Sequence, residues 1–104
     1  MRLIEEQMID ALHSGEDWKK GNTEVAFSNE YDAKVYLHGN HIANVGKDFL
    51  ELHDGGWRSN TTKSRLNALL EGLRYRARVR QQDFEWKVVT DDRTDDFFNG
   101  VAFF

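Results

Sequence analysis

Thr23-Glu24-Val25-Ala26-Phe27-Ser28, Ala33-Lys34-Val35-Tyr36-Leu37, His41-Ile42-Ala43-Asn44-Val45 and Phe49-Leu50-Glu51-Leu52-His53 are four short runs in which apolar and polar residues tend to alternate. A period of two marks a half-buried strand, because successive side chains leave a pleated backbone on opposite faces. Val25 and Phe27 share one face of the first run, and Val35 and Leu37 one face of the second. Asn29 to Asp32, His38-Gly39-Asn40 and Gly46-Lys47-Asp48 separate the runs, and connections this short suit hairpins. The stretch reads as an antiparallel meander.

On its N-terminal side the period is helical. Ile4, Met8, Ala11 and Leu12 fall on one stripe, Glu5 and Glu6 favour the first turn, and Ser14-Gly15 supplies a stop. On its C-terminal side a second helix should begin near Thr61 or Thr62, either of which can cap it. Leu66, Leu69, Leu70 and Leu73 then form the strongest amphipathic stripe in the chain, with Gly72 weakening its end. Residues 74–82 fit strand or continued helix. Phe84 to Thr90 reads as a fifth strand, with Phe84, Trp86 and Val88 on one face. Asp91, Asp92, Asp95 and Asp96 read as a solvated acidic loop, and Val101 to Phe104 as a short last strand. The fold expected is α+β: one domain over residues 1–104, an antiparallel sheet of about four to six strands, and two helices packed on one face.

Composition narrows the function classes. Hydrophobic residues make up 39% and aromatics 12%, more than a disordered chain carries. The absence of cysteine excludes disulfides, thiolate nucleophiles and Cys-type zinc sites. No apolar run approaches the ~20 residues of a membrane span. Met1-Arg2-Leu3-Ile4-Glu5-Glu6 turns acidic too early for a signal peptide, so the cytoplasm is the expected location. The net charge of −4 is unevenly spread: residues 58–80 hold seven of the fourteen basic residues and one acid, Glu71, so that segment is at +6 and the remainder at −10.

Several strings are also recognisable: Trp18-Lys19-Lys20-Gly21-Asn22-Thr23, Val35-Tyr36-Leu37-His38-Gly39-Asn40-His41-Ile42-Ala43, Gly55-Gly56-Trp57 and Thr61-Thr62-Lys63-Ser64-Arg65-Leu66-Asn67-Ala68-Leu69. With Phe84-Glu85-Trp86 and Phe98-Asn99-Gly100-Val101, they resemble a group of small proteins of tailed bacteriophages over nearly the whole chain. The resemblance implies a phage origin and a life in the host cytoplasm. It brings no assigned activity and no functional residue.

Candidate chemistry is sparse. His38, His41, His53 and Asp54 are zinc-ligand types, but their spacing alone does not gather them, and no metal or cofactor is expected. No Gly-x-Ser-x-Gly elbow, phosphate loop or His-Glu-x-x-His string is present, so no catalytic residue is assigned. Two basic stretches remain. Asn60, Thr61, Thr62, Lys63 and Arg65, with Arg58 just before them, put hydroxyls and cations at a helix start, where free N–H groups favour anions; simple capping is the competing reading. Arg74, Arg76, Arg78 and Arg80 would line one face of a strand, where they could bind phosphates, pair with a protein's carboxylates, or balance the acidic remainder of the chain.

The expected function is that of a non-catalytic phage accessory protein that binds a host macromolecule and modulates a host enzyme or defence system. A host protein is preferred as partner, with nucleic acid bound by residues 58–80 as the alternative. A homodimer through the C-terminal segment is compatible with its terminal Phe residues, and no membrane partner is expected.

Overall fold

A computed structural model describes all of residues 1–104. Its elements are α1 (Leu3–Ser14), β1 (Trp18–Lys20), β2 (Thr23–Phe27), β3 (Ala33–Leu37), β4 (Asn40–Val45), β5 (Leu50–Leu52), α2 (Asn60–Gly72), β6 (Ala77–Gln82), β7 (Glu85–Thr90), β8 (Thr94–Asp96) and β9 (Val101–Phe103). The expected four-run meander forms as β2 to β5, and β1, which the sequence reading did not include, extends its edge: β1 to β5 pair in order, all antiparallel, and β9 returns to pair with β5. The last three strands before it make a separate antiparallel sheet in the order β6-β7-β8. The α+β class and the six-stranded sheet agree with the sequence. The second sheet does not follow from it, and neither does β8, which puts Asp95 and Asp96 in a strand rather than a loop.

The alternation in the meander decides which face is dry. Val25, Val35, Leu37, Ile42, Val45, Leu50 and Leu52 are buried beneath the helices, where they join Met8, Leu66, Leu69 and Leu70 in one core. Strand β4 departs from strict alternation. Its register against β3 passes from Val35↔Ala43 to Tyr36↔His41, so Ile42 is an extra residue and the strand bulges there. Ile42 and Ala43 both point inward as a result, and His41 and Asn44 share the outer face.

Helix α1 turns its Glu5, Met8, Ile9 and Ala11 inward, leaving Ile4 and Leu12 of the expected stripe only half-buried. Helix α2 is capped by Ser59, whose Oγ accepts from the Thr62 N–H at 3.1 Å; neither Thr61 nor Thr62 is the cap. The two helices approach closely at Gly72. A Cβ built there would lie 2.6 Å from Ile9 Cδ1 and Cγ1. Gly72→Ala should therefore destabilise the fold. Overpacking costs about 1–3 kcal/mol, while the gain in helix propensity is only ~1 kcal/mol. A thermal melt should show a drop of a few degrees, and an unchanged or raised melting temperature would contradict this contact.

One group of buried polar residues crosses the core. Arg65 of α2, 3% exposed, donates from Nη1 to Glu5 Oε2 (2.8 Å), from Nε to Thr23 Oγ1 (3.0 Å) and from Nη2 to Asn22 Oδ1 (3.3 Å). Glu5, 2% exposed, also accepts from Ser64 Oγ at 2.6 Å and from the Arg2 backbone N–H at 2.9 Å. Burial acts to raise the Glu5 pKa; the hydrogen bonds from Ser64, Arg2 and Arg65, with the guanidinium charge, outweigh it and hold the carboxyl below its usual range. The network ties α1 and α2 to the start of β2.

The small sheet docks on α2 through an amide. The Asn67 side chain accepts from the Val79 N–H (2.7 Å) and donates to the Val79 carbonyl (2.9 Å), standing in for a neighbouring strand along the free edge of β6. No helix of the protein is long and apolar enough to cross a membrane.

Candidate interaction surface

The ten basic-segment candidates do not form one patch. Helix α2 separates them, and its 13 residues span about 20 Å at 1.5 Å per residue. At its N-terminal end, Arg58 bonds Asp54 at 3.1 Å and lays its guanidinium over Trp86 (5.6 Å) and Phe97 (5.3 Å), bridging the loop before α2 to the small sheet. Asn60 is exposed, Lys63 is half-buried without an ion pair, and Thr61 faces a cleft of about 370 Å³ shared with His38 and Trp57. Thr62 is buried against Ser59. Arg65 is the buried partner of Glu5. Thr62 and Arg65 thus offer nothing to an external ligand, and the sequence reading of them as surface residues is corrected. Burial could have been anticipated, because Arg65 adjoins Leu66 and lies one turn before Leu69 on the apolar stripe.

At the other end Arg74 takes a left-handed backbone (φ 66°), the position where a helix usually ends on Gly. It lines a cleft of about 610 Å³ together with Tyr31, Lys47 and Tyr75. Lys47 Nζ sits 5.6 Å from the centre of the Tyr31 ring. Burial, with the nearby Asp48 charge, raises the Tyr75 phenol pKa. Glu30 joins the cations in this wall, so the cleft has no dominant charge.

Arg76, Arg78 and Arg80 lie along the small sheet. Residues 77–82 are strand, and the alternation that made 74–82 ambiguous is now physical: Val79 is buried while Arg78 and Arg80 are exposed. Arg76 precedes the strand and pairs with Asp91 at 3.1 Å in full solvent, a contact worth little. Arg78 and Arg80 make no ion pair. Register places Arg80 directly opposite Lys87, a like-charge juxtaposition that disfavours the sheet. Lys87 is itself neutralised by Glu85 and Asp96 on either side. Arg78 and Arg80 therefore remain as two adjacent cations on a solvated face, uncompensated although the rest of the chain is acidic.

The sequence singled out four zinc-ligand types, and the fold brings only two together. The bulge at Ile42 turns His41 outward, where its Nε2 meets Asn44 Oδ1 at 2.8 Å and its ring centre lies 4.9 Å from that of His53. Glu51 Oε1 accepts from His53 Nε2 (2.7 Å) and from Asn44 Nδ2 (2.8 Å), and these bonds lower its pKa against a smaller opposing effect of burial. His38 lies in the β3–β4 turn at φ 52°, and Asp54 holds Arg58. No three His, Asp or Glu side chains are arranged to hold a metal ion. Asn44 and Glu51, which complete this network, escaped the sequence reading because only the bulge and the strand register bring them beside the histidines.

The family model described as Kyanoviridae Gp96 protein matches residues 1–104. The chain belongs to the Kyanoviridae Gp96 family. No curated protein and no solved structure matches it. Membership makes this a phage protein, in agreement with the resemblance in its strings. The roles of individual residues in the Kyanoviridae Gp96 chain rest on its geometry.

Proposed function

We propose that this phage protein is non-catalytic and acts in the host cytoplasm by binding a host protein, an enzyme or defence component that it modulates, through the outer face of its small sheet. The observation that carries the reading is the pair Arg78 and Arg80, exposed side by side without a carboxylate partner. The Arg80 guanidinium, unpaired opposite a clamped lysine, costs the isolated sheet stability, and a partner's carboxylates would offset that with bidentate bonds to Arg80 and Arg78. The absence of catalytic strings supports the non-catalytic half of the reading.

Nucleic acid is the second reading, favoured by the row of Arg78, Arg80 and Lys87 on one face. Against it stand Asp83, Glu85, Asp91 and Asp96, which border that face and would repel phosphates. A homodimer has its own opening at β9, an edge strand flanked by exposed Phe98 and Phe104. Titrating the protein into labelled random duplex DNA, single-stranded DNA and RNA at several salt concentrations separates the first two readings. The proposal expects no salt-dependent binding in the micromolar range. Binding that weakens steeply with salt, with a slope reduced by Arg78→Glu, would transfer the face to nucleic acid.

A further inference from the structure

Strands β6 and β7 are joined by Asp83 and Phe84 alone, both with positive φ (53° and 65°). This is the backbone of the two-residue turn whose twist matches a hairpin, and its second position strongly prefers glycine. Aspartate tolerates the left-handed region, but a bulky side chain there is a true outlier. Phe84 was expected within a strand, on one face with Trp86 and Val88. It lies instead at the hairpin tip, 95% exposed, the highest value of any large apolar residue in the chain. Its side chain thus strains the turn and gains no burial in return. Met1, Leu3, Tyr31, Trp57, Phe98 and Phe104 are also exposed, but Phe84 alone among them holds a positive φ. Strain kept at a residue that does nothing for the fold points to a role outside it.

We propose that Phe84 is the apolar anchor of the contact, inserting into an aromatic-sized apolar pocket on the host protein whose carboxylates meet Arg78 and Arg80. This rests on the reading of the small sheet as the binding face. Phe84 lies four residues from Arg80, about 13 Å along a strand, so a standard interface of about 800 Å² per partner covers both. A buried aromatic ringed by polar contacts is the usual form of an interface hot spot. The flanking Asp83 and Glu85 fit a protein socket with a polar rim. They disfavour insertion between the bases of a duplex, where they would meet phosphates.

The test uses the full chain in three forms: wild type, Phe84→Gly and Arg78→Glu/Arg80→Glu. Each is immobilised in nuclease-treated host lysate, and any protein captured saturably by wild type is purified and titrated against all three. Phe84→Gly should raise the melting temperature, since glycine suits the turn, and weaken the purified partner's affinity at least ~30-fold. A lowered melting temperature would overturn the proposal, because the ring would then be serving the fold. Affinity retained by Phe84→Gly but lost by the arginine variant would overturn the anchor and leave the face reading standing. Affinity retained by both, or no saturable partner for wild type, would overturn both. Self-association of wild type that Phe84→Gly abolishes would place the socket on a second copy and overturn the host-protein assignment.

Discussion

Glu5→Ala and Arg65→Ala will each cost the fold about 3–5 kcal/mol, because each strands the other's charge inside the core. A domain of this size has only about 5–15 kcal/mol of stability, so either change removes about a fifth of it or more. The two differ in what they leave behind. Without Glu5, Arg65 keeps Thr23 and Asn22, which are neutral acceptors; without Arg65, Glu5 keeps Ser64 and the Arg2 N–H. Replacing both ionic residues together by leucine should recover most of the loss, since well-packed apolar pairs often match a buried ion pair. The pair also fixes an acid dependence. The folded Glu5 carboxyl lies below its ordinary value of 4.5, so the unfolded chain binds the proton more readily. The stabilisation is therefore complete above about pH 4.5 and is lost as the pH falls through the depressed folded value. Denaturant melts of the two single variants and the double leucine variant at pH 7 and pH 3.5 check this. Single variants losing under 1 kcal/mol would contradict the buried network.

Leu69→Ala should cost about 2–5 kcal/mol, the range for a fully buried leucine whose site cannot collapse. Leu69 is wholly buried, with Leu66 and Leu70 on the same face of α2 and the inward residues of the large sheet beneath. Leu70→Ala should behave alike. Leu73, at the C-cap and only partly buried, should cost less. The ordering of the four leucines is read from melts of the single alanine variants. Equal losses at Leu69 and Leu73 would mean that α2 is rotated from its assigned face.

The sequence made these elements legible to different degrees, for physical reasons. The meander and α2 were plain because their apolar residues repeat at the period of the structure that buries them. Arg65 misled because charge normally marks surface, and its partner lies 60 residues away on another helix. Phe84 misled because an aromatic at the start of an alternating run continues the pattern, whereas the two-residue hairpin makes the strand begin one residue later, at Glu85. Residues 74–82 could not be resolved from periodicity because Arg74 and Arg76 precede the strand and only Arg78 and Arg80 belong to it. The division between two sheets depends on Asn67 bonding to Val79 and on the turn from β8 to β9, where the Gly100 N–H bonds Leu52; neither leaves a periodic trace.

The role proposed for Arg78 and Arg80 is that of a contact surface rather than part of the fold's own charge balance. Arg78→Glu/Arg80→Glu measured for melting temperature and for affinity to the captured host protein tests it most directly. The expected result is a melting temperature within a few degrees of wild type, raised if anything by removal of the Arg80–Lys87 repulsion, together with loss of the partner. A large fall in melting temperature with the affinity intact would contradict it, and would show the two arginines serving only the protein's own acidic surface.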